Sequence, residues 1–134
     1  MHFVTETVFI IDNDRSVRRS LSRLLRAEGI RNECFESAQA YEDRELHNGV
    51  GCILLDINMP EMHGLTLLAK LHDEAPLIKS VIVSAYGDMD NIRTAMNRGA
   101  FDFITKPINF EDLSITMEKT LLHVQHIKET LQAI

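Results

Sequence analysis

The chain predicts a doubly wound α/β sandwich, a five-stranded parallel sheet in the order 2-1-3-4-5 with helices on both faces and an extended C-terminal helix. Two observations carry this. Short segments of strand length (apolar runs at Val8–Ile11, 53–55 and 80–84, with shorter mixed strands at Asn32–Phe35 and 101–104) alternate with longer stretches whose apolar residues recur at three- and four-residue steps. Continuous apolar runs suit strands covered on both faces, and parallel strands need right-handed crossovers of helix length.

The first run ends in Asp12-Asn13-Asp14, so acidic groups stand at a strand tip. Val17, Leu21, Leu24 and Leu25 then mark a helix that Gly29 stops. A short second strand precedes Ser37, an N-cap for a helix through Leu46. The third strand delivers Asp56 at its C-terminal end, before Pro60 and Gly64 break the pattern. Leu65, Leu67, Leu68 and Leu71 turn toward the sheet from the next helix, and Pro76 closes that unit. The fourth strand ends in Ser84, and a helix over 88–98 ends at Gly99. The fifth runs into Thr105-Lys106-Pro107, after which Glu111 or Asp112 opens the last helix. The 2-1-3-4-5 order sets strands one and three side by side at the switch point, with Asp12 and Asn13 beside Asp56.

With 134 residues, 45% hydrophobic and 25% charged, the chain supports one domain with a sizeable core. A formal charge of −6 without a run of Lys and Arg disfavours a nucleic-acid surface, so any DNA binding is expected of another segment. Cys34 and Cys52 are too few for a disulfide framework and are expected as buried free thiols. The first seven residues have neither a basic nor an apolar leader region, and no window reaches membrane-spanning length. A cytoplasmic protein without membrane contact is expected.

Four of the five strands end in polar groups, namely Asp12 with Asn13, Asp56, Ser84 and Lys106. Clustered carboxylates raise one another's pKa unless a cation neutralises them, and the cations at hand are Lys106 and a divalent metal. Oxygen ligands with retained waters suit Mg²⁺. Asp12-Asn13, Asp56 followed by Met59-Pro60 and Gly64, Ser84-Ala85, and Lys106-Pro107 together resemble the receiver domain of two-component response regulators, a flavodoxin-like sandwich. The resemblance covers about residues 8–122. It implies a phosphorelay switch rather than an enzyme, with Asp56 accepting a phosphoryl group from a sensor histidine kinase.

The same resemblance implies Mg²⁺ held by Asp12, Asn13, Asp56 and the backbone carbonyl of Asn58, with Lys106 and Ser84 meeting the phosphoryl group. Ala85 is similar to the small residue that admits phosphodonors, and Asn58 and Tyr86 stand where the family tunes acyl-phosphate lifetime. Tyr86 either shields the site or lies out over the neighbouring helix. Ser84 and Phe103 occupy the switch positions, Phe103 being otherwise plain core, and Pro107 helps aim Lys106, in the family often through a cis peptide. Asn13 departs from the family's two adjacent acids and predicts weaker Mg²⁺ binding, which Asp14 compensates only in part. His123 and His126 lack companions for a metal set and are expected as exposed polar residues, and His63 lies beside the active-site turn.

Residues 1–122 are expected to form the receiver and 123–134 a helical signalling or dimerisation linker to an output domain. Leu113, Met117, Val124, Ile127, Leu131 and Ile134 make a short coiled-coil seam interrupted by Thr120. Two other readings remain at this stage. One is a phosphorylation-independent binding module, left open by Asn13. The other is a Mg²⁺-dependent phosphohydrolase, which ordinarily carries an acid where this chain has Asn58.

Overall fold

A computed structural model describes residues 7–44, 51–58, 64–75 and 77–132. The elements run β1 (Val8–Ile11), α1 (Arg15–Ala27), β2 (Asn32–Phe35), α2 (Ala38–Asp43), β3 (Gly51–Asp56), α3 (Gly64–Glu74), β4 (Ile78–Ala85), α4 (Met89–Asn97), β5 (Asp102–Lys106) and α5 (Phe110–Gln132). Every strand pair is parallel and the order is β2-β1-β3-β4-β5, as the apolar runs predict. The expectations for Leu46, Met59, Pro60, His63, Pro76 and Ile134 fall outside the described residues.

Strand alternation sorts the core into two layers. Val8, Ile10, Cys52, Leu54, Val81, Val83 and Ile104 pack against Leu21 and Leu25 of α1 and Leu113, Met117 and Leu121 of α5. Phe9, Ile11, Ile53, Leu55 and Ile82 pack against α2, α3 and α4 through Ala38, Leu67, Leu68, Leu71 and Ala95. Side chains on a strand alternate with period two, so each strand reads out both layers in turn.

The helix ends follow local chemistry. Asp14 caps α1, its carboxylate accepting the backbone N–H groups of Ser16 and Val17, and Ser37 caps α2. Gly29 follows α1 with φ of 76°, a conformation that an L side chain resists. The last helix opens earlier than expected. Asn109 caps it, with Oδ1 accepting the Asp112 N–H at 3.0 Å, so the first turn begins at Phe110 and places Glu111 and Asp112 at the positive end of the helix dipole.

Two expectations are corrected. Cys52 is buried, but Cys34 is exposed, because β2 is an edge strand and is only partly covered, whereas β3, which carries Cys52, is covered throughout. The C-terminal seam is largely the protein's own core: Leu113, Met117 and Val124 are at most 2% exposed. Thr120, read as its interruption, is buried on the same side, and its hydroxyl donates to the Thr116 carbonyl at 2.7 Å. Of the seam, half-buried Ile127 and exposed Leu131 remain, while Ile115 and Leu122 emerge on other faces of α5. Among the described residues no helix is long and apolar enough to cross a membrane.

Candidate functional site

The strand alternation that sorts the core also sorts the site. Asp12 follows Val8 and Ile10, Asp56 follows Cys52 and Leu54, and Lys106 follows Ile104, so all three continue the α1–α5 layer at the carboxyl edge of the sheet. Ser84 and Phe103 have the opposite phase and face the α3–α4 side. The topology supplies the third dimension, since β1 and β3 are neighbours and β4 and β5 follow in order.

On the first side two buried carboxylates share one ammonium. Asp12 is 1% and Asp56 3% exposed. Lys106 Nζ lies 2.9 Å from Asp12 Oδ2 and 3.1 Å from Asp56 Oδ2, and the Lys106–Pro107 peptide is cis. Backbone N–H groups pin the other oxygens, Asp14 N to Asp12 Oδ1 and Asn58 N to Asp56 Oδ1, each at 2.8 Å. Burial pushes the Asp12 carboxyl above its ordinary range, and the Asp56 charge adds to this against the opposing pull of the Asp14 N–H and Lys106. Burial works against the Lys106 ammonium, but its close contact with Asp12 and the charges of Asp56 and Asp12 outweigh it and raise its pKa.

Asp12 Oδ2 is the atom left over. It is buried, and although Lys106 Nζ is at ion-pair distance, the angles are not those of a hydrogen bond, so no donor among the described residues serves it. A buried carboxylate oxygen without a hydrogen bond, beside a second carboxylate, fits a hard cation. The described residues contain no group of three or more His, Cys, Asp or Glu side chains arranged around a metal. Asn13 is exposed and neutral, and Asp14 is engaged as the α1 cap, with Ser16 hydrogen bonds first among those that hold its carboxyl below the usual range. Asp14 is thus committed to the helix cap and keeps its charge close to Lys106.

The second side is a hydrogen-bond network. Asn58 Oδ1 accepts from Ala85 N at 2.8 Å and from Ser84 Oγ at 3.1 Å, while Asn58 Nδ2 donates to Asp88 Oδ2 at 2.8 Å. Asn91 Nδ2 also donates to the Asp88 carboxylate, and Ser84 Oγ stands 3.3 Å from Asp88 Oδ2. Sequence reasoning missed Asp88. The available signal was an acid next to Gly87 and four residues after Ser84, at the start of a helix. Tyr86 lies outward, 85% exposed. Phe103 is 38% exposed rather than plain core.

His123 is exposed and stacks on Phe101 with ring centroids 4.8 Å apart. The premise that no basic cluster exists also needs correction. Helix α1 holds five arginines and no acid, and Arg15, Arg19 and Arg23 line one surface with Ser16 and Ser20. Their four-residue spacing is legible in the sequence, although they form no contiguous run.

The sequence profile of the response regulator receiver domain matches residues 8–118, so the chain belongs to that family, the receiver domains of two-component systems. Response regulator protein TmoT of Ectopseudomonas mendocina is 40% identical over 106 residues, covering 79% of this chain and 48% of the relative. The DNA-binding transcriptional regulator NtrC of Klebsiella pneumoniae is 30% identical over 125 residues, 93% of this chain and 27% of the relative. The chain thus spans about half or less of these relatives' lengths. Among solved structures, the response regulator StyR superposes with a TM-score of 0.84 at 32% identity, covering 96% of this chain and 65% of that one. A CheY-like receiver domain from Methanospirillum hungatei JF-1 gives 0.79 at 29%, covering 90% and 97%.

Proposed function

We propose that Asp56 receives a phosphoryl group from a sensor histidine kinase and that the resulting charge resets the surface around Ser84, Phe103 and α4. The observation that carries this is the Asp56 carboxylate itself, 3% exposed and held between the Asn58 N–H and Lys106 Nζ. An Asp56 oxygen attacks phosphorus, an O–P bond forms, and the P–N bond to the kinase imidazole breaks with its electron pair going to nitrogen. Lys106 meets the negative charge that spreads over the phosphoryl oxygens, and Ser84 Oγ donates to one of them. Small Ala85 leaves the approach open, and Asn58 and outward Tyr86 bear on the lifetime of the acyl phosphate.

Asp12, Asp56, Asn13 and the backbone carbonyl of Asn58 are the groups to hold Mg²⁺, which when bound neutralises charge on the transferring group. After transfer, Ser84 moves toward the phosphoryl group and Phe103 turns into the space it leaves, a two-state element biased by one local charge. Residues 1–122 act as the switch. Residues 123–134 lead to an output domain, fused or separate, and offer Ile127 and Leu131 to a second copy. The DNA-binding transcriptional regulator NtrC supports a transcriptional output, and nucleic-acid contact is assigned to that domain rather than to this segment.

The test is incubation with Mg²⁺ and acetyl phosphate followed by intact-mass measurement. The wild type gains one phosphoryl group and Asp56→Asn gains none. Stoichiometric consumption of the donor separates a switch from a phosphohydrolase, which turns over. A wild type that gains nothing at high Mg²⁺ points instead to a binding module that works without phosphorylation, the reading that Asn13 leaves open.

A further inference from the structure

We propose that the Asn58 side chain occupies the place of a phosphoryl oxygen in the resting protein, and that Asp88 is the positioning residue that holds it there. This rests on the receiver reading above. The β4 tip offers two donors toward the site, Ala85 N–H and Ser84 Oγ, and a phosphoryl group on Asp56 needs donors of this kind. Both already point at one atom, Asn58 Oδ1, at 2.8 and 3.1 Å.

The orientation of this amide is fixed by its neighbours. Turned over, Asn58 would set its NH₂ against the Ala85 N–H and its oxygen against the Asp88 carboxylate, donor against donor and acceptor against acceptor. In the observed orientation each of these groups has a complementary partner. The Asp88 carboxylate, held below the usual acidic range by the Asn91 and Asn58 donors, is charged at neutral pH and makes the 2.8 Å bond to Asn58 Nδ2 a charge-assisted one.

Asp88 gives up something to do this. It stands at the N-cap of α4, where an aspartate ordinarily accepts helix N–H groups, yet its side chain makes no capping bond. Asp14 in the corresponding place on α1 does cap. Asp88 therefore has two alternative uses, clamping Asn58 or capping α4. A phosphoryl group that displaces Asn58 from Ala85 and Ser84 releases Asp88 to the helix, so occupancy of the site is linked to the start of α4. The competent form is the one with Asn58 out, and the clamp lowers its population and slows phosphorylation.

The experiment compares phosphorylation rates with acetyl phosphate and Mg²⁺ in the full chain for wild type, Asp88→Ala, Asp88→Asn, Asn58→Ala and the double alanine variant. Asp88→Ala is expected to react about tenfold faster, the size of one lost charge-assisted bond. Asp88→Asn, which keeps an acceptor, falls between. Asn58→Ala is at least as fast as Asp88→Ala, and adding Asp88→Ala to it changes nothing further, a non-additivity that a merely structural role in α4 would not produce. An Asp88→Ala rate equal to or below wild type overturns the proposal, as does an effect that persists undiminished without Asn58. If no variant, wild type included, accepts phosphoryl, the phosphoacceptor reading fails, and the clamp is then decided by NMR of the resting protein. Asn58 side-chain amide signals that move to solvent-exposed values in Asp88→Ala support it, and signals identical in wild type and variant overturn it.

Discussion

On the α1–α5 side of the site, Asp12 and Asp56 are almost wholly buried and are held by charge against the partly exposed Lys106; on the α3–α4 side, Asn58, Asp88 and Asn91 are joined to the buried Ser84 by directed hydrogen bonds. The first side is incomplete. Two carboxylates face one ammonium, and Asp12 Oδ2 lacks a donor. The second side is complete, with the Asn58 amide oxygen and nitrogen both matched. A ligand therefore improves one side by arriving and disturbs the other, which is how a single event can be both favourable and a signal.

The contrast is broken most directly at Lys106. Lys106→Met leaves Asp12 and Asp56 without a counter-charge and is expected to slow phosphoryl uptake about a hundredfold by intact-mass kinetics. A rate near wild type would show that the charged side does not depend on Lys106. Asn13→Asp restores the missing carboxylate and should tighten Mg²⁺ binding about tenfold by calorimetric titration. Equal affinities would remove the claim that the site is short of charge.

The third prediction concerns stability. Because the folded Asp12 carboxyl titrates above its ordinary 3.8, the folded state keeps a proton that the unfolded state has released, and stability falls as pH rises through that window. Asp12→Asn is therefore expected to be more stable than wild type at pH 7 without metal, by on the order of 1 kcal/mol in urea unfolding, with the gap closing as pH falls toward 3.8. A wild type as stable as the variant at pH 7 would contradict the cost of burial. The smallest effect is on the other side. Ser84→Ala should cost only about 0.5 kcal/mol, because Asn58 Oδ1 retains the Ala85 N–H. A loss of several times that would mean that the network is less redundant than its geometry.

Apolar runs made the sheet legible. The strands centred on Val8–Ile11 and on Leu54 could only be buried on both faces, and the polar residue ending each run marked the site edge. Periodicity could not say what covers an apolar stripe. Leu113, Met117 and Val124 read equally well as a seam for a partner and as the floor of the protein's own core, and the fold chose the second. Cys34 was misread because its strand was taken as buried, although Asn32 and Glu33 beside it already fit the edge position that leaves it exposed. Asp88 was out of reach for another reason. Its partner Asn58 lies 30 residues away, and the pair meets only because β3 and β4 are neighbours.

The length of α5 has a geometric consequence. Its 23 residues make a rod of about 34 Å, and the part beyond the last fully buried side chain, Val124, reaches about 12 Å further. Each residue also turns the helix by about 100°, so the rod carries a compass bearing as well as a reach. Adding or deleting one residue after Val124 would swing whatever is joined to its end to another side of the domain, and only steps near a whole turn would bring it back.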